Sequence, residues 1–171
     1  MTMLQMRCTG KVLKELGKKP KQLSEIKEPN STLGHWYVNI STIDRRKVFL
    51  FVNERTLLSF IIFGINKSNV QKTHKTFLSG LDQLLTLEGI DPKIIDKVIN
   101  EYANIEYTKT DSKSVLGSMT DLMWLYKDHI YSDGGLKYCD VGKVIFQLNR
   151  MPQRNIEGGY SIELVKEILL S

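Results

Sequence analysis

The sequence predicts an α+β domain, in which a small antiparallel β-sheet of three to five strands, mostly N-terminal, is covered by several α-helices. Residues 36–65 alternate runs rich in Val, Ile, Phe and Tyr with short polar breaks, which is typical of an antiparallel meander. From residue 77 onwards the apolar residues recur at helical spacing instead. Because the strands come early and the helices late, a doubly wound parallel sheet is not expected.

The strands are predicted from apolar runs and from the polar residues that separate them. The predicted segments are residues 3–8, 36–40, 47–52, 57–65 and 105–108. Asp44, Arg45 and Arg46 supply a polar turn within the meander, between its first two strands. The run at residues 60–65 is too apolar for a strand with one wet face, so we expect both of its faces to be covered.

The helices are predicted from apolar stripes and from residues that start or stop a helix. The stripes cover residues 12–16, 77–85, 94–102, 115–130, 141–148 and 164–169. Asp91, followed by Pro92, is a suitable start for the third of these, and Asp140 for the fifth. Gly89 is a suitable stop between the second and third.

Length and composition set the class of protein. The chain has 171 residues, of which 42% are hydrophobic and 25% charged, so we expect one globular domain spanning residues 1–171. Cys8 and Cys139 form no spaced pair, which predicts reduced thiols in a cytosolic protein. The longest apolar stretch covers seven residues, 57–63, whereas a membrane span needs about 20, so no membrane partner is expected.

Positive charge is concentrated in the first part of the chain. The net charge is +5, yet residues 1–60 hold 11 Lys and Arg against 5 Asp and Glu, and residues 61–171 hold 13 against 14. This asymmetry predicts that the sheet region binds nucleic acid or an acidic protein partner. The alternative is that Lys18, Lys19 and their neighbours simply solubilise a loop.

The strongest cationic candidates flank the middle strand of the meander. Arg45, Arg46, Lys47 and Arg55 are predicted to make phosphate contacts, which give affinity without sequence choice. In a meander, however, the two turns lie at opposite ends of a strand roughly 20 Å long. All four residues therefore share one surface only if the sheet bends.

A polar cluster between two apolar strands could carry chemistry. Glu54 is a candidate general base and Arg55 a candidate stabiliser of a phosphate or oxyanion, with His35 as an acid or base and Asn53 as a binding residue. The alternative is a hairpin turn in which Asn53 adopts a left-handed conformation and Glu54 pairs with Arg55 or solvent. This alternative is the more common outcome for such a cluster.

A second polar pair begins the longest predicted helix. Ser118 and Asp121 are three residues apart and are expected to share a face away from the apolar stripe, where Ser118 could bind an anion and Asp121 could assist catalysis. Both residue types are also preferred at helix starts. The sequence holds no glycine-rich phosphate loop and no paired-histidine motif, so neither a cofactor nor a metal is predicted.

Five segments together resemble a known family. They are residues 7–9, 33–39, 50–58, 114–122 and 148–152. In this combination the chain resembles a bacterial domain family of unknown function, number 6933, over most of its length. The resemblance implies a prokaryotic cytosolic protein but no activity. In the family pattern Asp is common at the position of His35 and Asn at that of Thr120, which weakens a catalytic role for either.

Three functions remain open from the sequence. The first is a non-enzymatic module that binds nucleic acid or an acidic protein through its basic N-terminal half. The second is a small hydrolase or nuclease that uses Glu54 and Arg55. The third is a structural subunit whose apolar stripe docks on another chain.

Overall fold

The fold is a central sheet with helices on both faces. The computed structural model describes residues 1–65, 68–153 and 159–171. Its strands are β1 (Leu4–Cys8), β2 (Trp36–Ile43), β3 (Arg46–Asn53), β4 (Ser59–Phe63) and β5 (Ile105–Lys109). Its helices are α1 (Gly10–Glu15), α2 (Thr73–Leu87), α3 (Pro92–Glu101), α4 (Lys113–Ser132), α5 (Val141–Leu148) and α6 (Ser161–Leu170), with 3₁₀ turns at Pro20–Gln22 and Val70–Lys72. The α+β class is confirmed.

The sheet is mixed, so the prediction of an antiparallel sheet was wrong in part. The strand order is β4-β3-β2-β1-β5. The meander β2-β3-β4 is antiparallel as predicted, but β1 runs parallel to both of its neighbours, β2 and β5. Apolar patterning reports which faces of a strand are buried, whereas strand direction depends on where α1 and the following loop return the chain.

Both faces of the sheet are covered. One face carries Trp36, Phe51 and Phe60 in a core completed by residues of α1, α2, α3 and α6. The other face carries Tyr37, Leu50 and other residues that pack against α4 and α5. The expectation that both faces of β4 are covered is therefore confirmed, since Phe60 belongs to the first core and Ile61 to the second.

The predicted helix starts at two aspartates are confirmed by hydrogen bonds. The Asp91 carboxylate accepts from the Lys93 amide at 2.8 Å, and the Asp140 carboxylate accepts from the Lys143 amide at 3.2 Å. Among the described helices, none combines the length and the apolar character needed to cross a membrane.

Candidate functional site

The predicted cationic residues do not form one surface. Arg45 and Arg46 lie at the β2–β3 turn, while Arg55 follows β3 at its other end. β3 has eight residues, a length of roughly 25 Å, so the two groups are separated by the length of the strand. A single four-residue patch at Arg45, Arg46, Lys47 and Arg55 is therefore excluded.

The geometry of the β2–β3 turn determines on which faces of β3 the basic residues Arg46 and Lys47 lie. Asp44 and Arg45 have φ values of 49° and 65°, the positive values that a two-residue hairpin turn of type I′ requires. Arg46 and Lys47 come next, and as successive residues of a strand they point to opposite faces of β3. Arg46 lies with its guanidinium 5.6 Å from the centre of the Phe63 ring, and Lys47 forms an ion pair with Glu15 at 2.6 Å.

Acidic neighbours neutralise several other cations of the N-terminal half. The Arg7 side chain is 8% exposed, and it pairs with Glu54 at 3.1 Å and Asp111 at 3.2 Å. Lys27 pairs with Glu106 at 3.4 Å. The charge surplus of residues 1–60 is thus only partly available at the surface.

Arg7 lies at the floor of a polar cleft of about 560 Å³, which Tyr37, Glu54, Arg55 and Asp111 also line. Its Nη1 atom donates to both carboxylates, while its Nε atom is buried without a partner in the described structure. The Tyr37 hydroxyl donates to Asp111 at 2.6 Å and accepts from the Ser112 amide at 3.1 Å. Burial, followed by the bond to Asp111, raises the pKa of Tyr37.

The candidate residues Glu54 and Arg55 both reach this cleft. Glu54 also accepts from the His35 amide at 3.1 Å, and its side chain is 17% exposed. The Arg55 side chain is exposed at the rim, where its Nη1 atom donates to the Thr32 carbonyl at 2.9 Å. Glu54 pairs with Arg7, which was not considered in the sequence prediction, rather than with Arg55.

His35 lies behind the cleft and is bonded to the backbone through both ring nitrogens. The backbone N–H of Gln5 donates to Nδ1 at 3.0 Å, so Nδ1 is the acceptor. Nε2 therefore carries the ring proton and donates it to the Lys27 carbonyl at 3.2 Å. Burial is the main cause that lowers the pKa of His35. This geometry leaves neither ring nitrogen facing a ligand.

Asn53 organises the β3–β4 turn. Its Oδ1 atom accepts from the amides of Arg55 and Thr56, at 3.1 and 2.9 Å, and its Nδ2 atom donates to the Leu33 carbonyl at 2.8 Å. The positive φ in this turn belongs to Leu57, at 61°, and not to Asn53, where a left-handed conformation was expected. The Asn53 amide therefore supports the position of Glu54 rather than lining the cleft.

Ser118 and Asp121 do not share a surface as expected. Ser118 is buried on the inner side of α4, whereas Asp121 is exposed. Neither residue lines the polar cleft. The buried face of α4 extends beyond its large apolar residues and includes Ser118.

A second feature combines basic residues from three elements. Two adjoining cavities of about 590 and 290 Å³ share Lys11 and Lys127 among their lining residues, and the smaller one also includes Lys47. We call this depression the cationic groove. Lys11 is on α1, Lys47 on β3 and Lys127 on α4. No carboxylate of the described residues is among the lining residues, but the Glu15 carboxylate pairs with Lys47 at 2.6 Å.

The floor of the cationic groove is an uncovered edge of β2. The strand β1 pairs with β2 only as far as Val38, where the chain turns away into α1. Ile40 and Ser41 line both cavities beyond this point. The early end of β1 thus creates the space that the three lysines surround.

The family model for DUF6933, described as a domain of unknown function, matches residues 5–164. The chain belongs to this family. The match confirms the resemblance found in the sequence, and it spans the polar cleft and the cationic groove of this DUF6933 domain. No curated protein matches the chain.

Several residues of the two features were missed by sequence reasoning. A charged residue inside a buried strand needs a partner, and that signal could have identified Arg7. Trp124 lies off the apolar stripe of α4, a position that is unusual for a large aromatic residue. Lys11, Lys127 and Asp111 carried no local signal, because only the fold brings them beside the other groups.

Proposed function

We propose that this DUF6933 domain binds nucleic acid through the cationic groove. The observation that carries the proposal is the convergence of Lys11 and Lys127, neither of which forms an ion pair among the described residues, on a groove that Lys47, paired with Glu15 at 2.6 Å, also lines. Lysine ammonium groups form favourable contacts with phosphates, and counterion release adds to the affinity. The proposal retains Lys47 from the sequence prediction and replaces Arg55 with lysines from two helices.

The shape of the groove favours nucleic acid over an acidic protein. A stable protein interface needs roughly 800 Å² on each partner and an apolar centre. The groove follows residues 39–42 of β2, a distance of roughly 10 Å, and its two cavities hold about 590 and 290 Å³. These dimensions suit a chain of phosphates better than a folded acidic surface.

The salt dependence of binding tests the proposal. The probe is a fluorescein-labelled oligo(dT) of about 15 nucleotides, titrated by anisotropy. Phosphate contacts at Lys11 and Lys127 predict a slope of log affinity against log salt of about −1.4, and Lys11→Gln or Lys127→Gln should each reduce its magnitude by about 0.7. Each substitution should also weaken binding at low salt.

The matched control is Lys97→Gln, which removes an exposed lysine of α3 that does not line the groove. This variant should bind as the unmodified protein does. Binding that does not respond to salt, or equal losses in all three variants, would contradict the proposal. Displacement of the oligonucleotide by poly-glutamate at equal charge concentration would instead assign the groove to an acidic protein.

The polar cleft supports a second candidate function, acid–base hydrolysis. The observation that favours it is the meeting of Glu54, Asp111, Tyr37 and Arg7 in one cleft. A carboxylate there could take the proton of a water molecule as the water oxygen attacks an ester, while a second group protonates the leaving oxygen. Asp111, with a side chain 47% exposed, is more accessible than Glu54.

Glu54→Gln tests this candidate against a panel of RNA, DNA and simple phosphoesters. Loss of a general base should lower turnover by a factor of about 100 or more. The control is Glu101→Gln, because Glu101 accepts from the amide and hydroxyl of Thr32 and supports the same loop without lining the cleft. Equal turnover in the two variants, or none in the unmodified protein, would reject hydrolysis.

A further inference from the structure

One large aromatic residue lies exposed in the cationic groove. Trp124 lines the groove and is 63% exposed. Lys127, which also lines the groove, follows it by about one turn of α4. Its indole ring is absent from the two hydrophobic cores of the sheet, unlike Trp36, which is fully buried. Exposed aromatic rings beside lysines are the platforms on which unpaired bases stack.

A second aromatic residue continues the same face of α4. Tyr131 is seven residues after Trp124, two helical turns or about 10 Å away, and is 50% exposed. Its hydroxyl accepts from the Asp44 amide at 3.1 Å, which holds the ring beside the β2–β3 turn. The exposed Arg45 follows Asp44 in that turn.

The charges around these rings favour a path on one side of α4. At 100° per residue, Lys127 and Tyr131 lie on the flank of Trp124 that faces the groove. Asp121 and Asp128, which are exposed on the same helix, fall on the opposite flank. Asp128 is four residues after Trp124 and three before Tyr131, so it neighbours both rings on the helix surface, and a bound strand would keep its phosphates on the lysine side of the rings.

We infer that the ligand of the groove is single-stranded nucleic acid, with unstacked bases on Trp124 and Tyr131 and phosphates near Lys11 and Lys127. This inference rests on the proposed function and adds the strandedness of the ligand. In a duplex the bases are stacked on one another, and their faces cannot reach an aromatic ring. A single strand offers both free bases and phosphates to the same groove.

Trp124→Ala and Trp124→Phe test the stacking. With oligo(dT) as the probe, Trp124→Ala should weaken binding about tenfold, whereas Trp124→Phe, which keeps a ring, should lose less than about threefold. Binding should quench the indole fluorescence of the unmodified protein, since Trp124 is exposed and the other tryptophan, Trp36, is buried. Trp124→Phe should bind without this quenching.

The control is Phe146→Ala, which removes a partly exposed aromatic residue of α5 that lies in a different groove. This variant should keep the affinity for oligo(dT), and a duplex of equal length should bind the unmodified protein at least tenfold more weakly than the single strand. Unchanged affinity in Trp124→Ala, with losses in the lysine variants, would overturn the inference and leave the proposed function standing. No binding of either nucleic acid at low salt would overturn both.

Discussion

At the scale of single residues, His35 shows how a candidate catalytic group can serve the fold instead. Its imidazole connects β1, through the Gln5 amide, to the loop that covers the sheet, through the Lys27 carbonyl. Its own amide donates to Glu54, the residue that pairs with Arg7. His35 thereby positions the cleft carboxylate, and the neutral imidazole fits these bonds because only one ring nitrogen carries a proton.

This role makes stability depend on pH in a definite direction. Burial lowers the pKa of His35 in the folded protein below its ordinary value near 6.5, so the unfolded chain binds a proton more readily. The neutral His35 contributes its full stabilisation above the ordinary pKa near 6.5. This contribution is lost as the pH falls through the lower pKa of the folded state. The free energy of unfolding should therefore decrease as the pH is lowered from about 7.5 to about 5.5.

His35→Asn removes the titrating group and should reduce this pH dependence, although the variant is less stable at both pH values. The measurement is urea unfolding of both proteins at the two pH values. An identical change in unfolding free energy for the two proteins would show that His35 does not contribute to the pH dependence.

At the scale of elements, α4 contributes to two separate surfaces. Its inner face, with Met119, Leu122 and Tyr126, packs on the sheet, and its outer face presents Trp124 and Lys127 to the cationic groove. The helical period permits this division because residues three or four apart share a face. α4 therefore couples the packing of the sheet to the geometry of the groove.

Two glycines within helices give a matched test of element packing. A Cβ atom at Gly80 of α2 would lie 2.8 Å from the Phe60 ring, whereas one at Gly117 of α4 would contact nothing within 4 Å. Gly80→Ala should lower the free energy of unfolding by about 1–3 kcal/mol, because Phe60 packs against other aromatic rings and cannot move freely.

Gly117→Ala should raise the free energy of unfolding by up to about 1 kcal/mol, since alanine favours the helix and meets no obstacle. Both variants are measured by urea unfolding. Equal effects of the two substitutions would mean that α2 does not pack on β4 as closely as described.

At the scale of the whole molecule, net charge is a poor guide to the cationic surface. The surplus of residues 1–60 is divided among a buried arginine that pairs with two carboxylates, two lysine ion pairs and two turns at opposite ends of β3. Lys127, which comes from the half of the chain with no surplus, completes the groove. The electrostatic field depends on the arrangement of charges that the fold produces.

The polar cleft also depends on the whole molecule. Its charged groups come from β1, from the loop before β2, which supplies Glu28, from the turn after β3 and from Asp111 before α4. The sequence identified Glu54 and Arg55 because they are adjacent between two apolar strands. It could not identify Asp111 as a neighbour, because 104 residues separate Asp111 from Arg7 along the chain.

The sequence by itself determined the α+β class, the antiparallel meander, the helix starts at Asp91 and Asp140, and the family. These features depend on local patterns of burial and capping, which a few neighbouring residues specify. Only the tertiary structure decided that β1 is parallel to its neighbours, that Arg7 is paired, and that the three lysines and Trp124 share one groove. Each of these depends on contacts between distant segments, and the path of the chain through space brings those segments together.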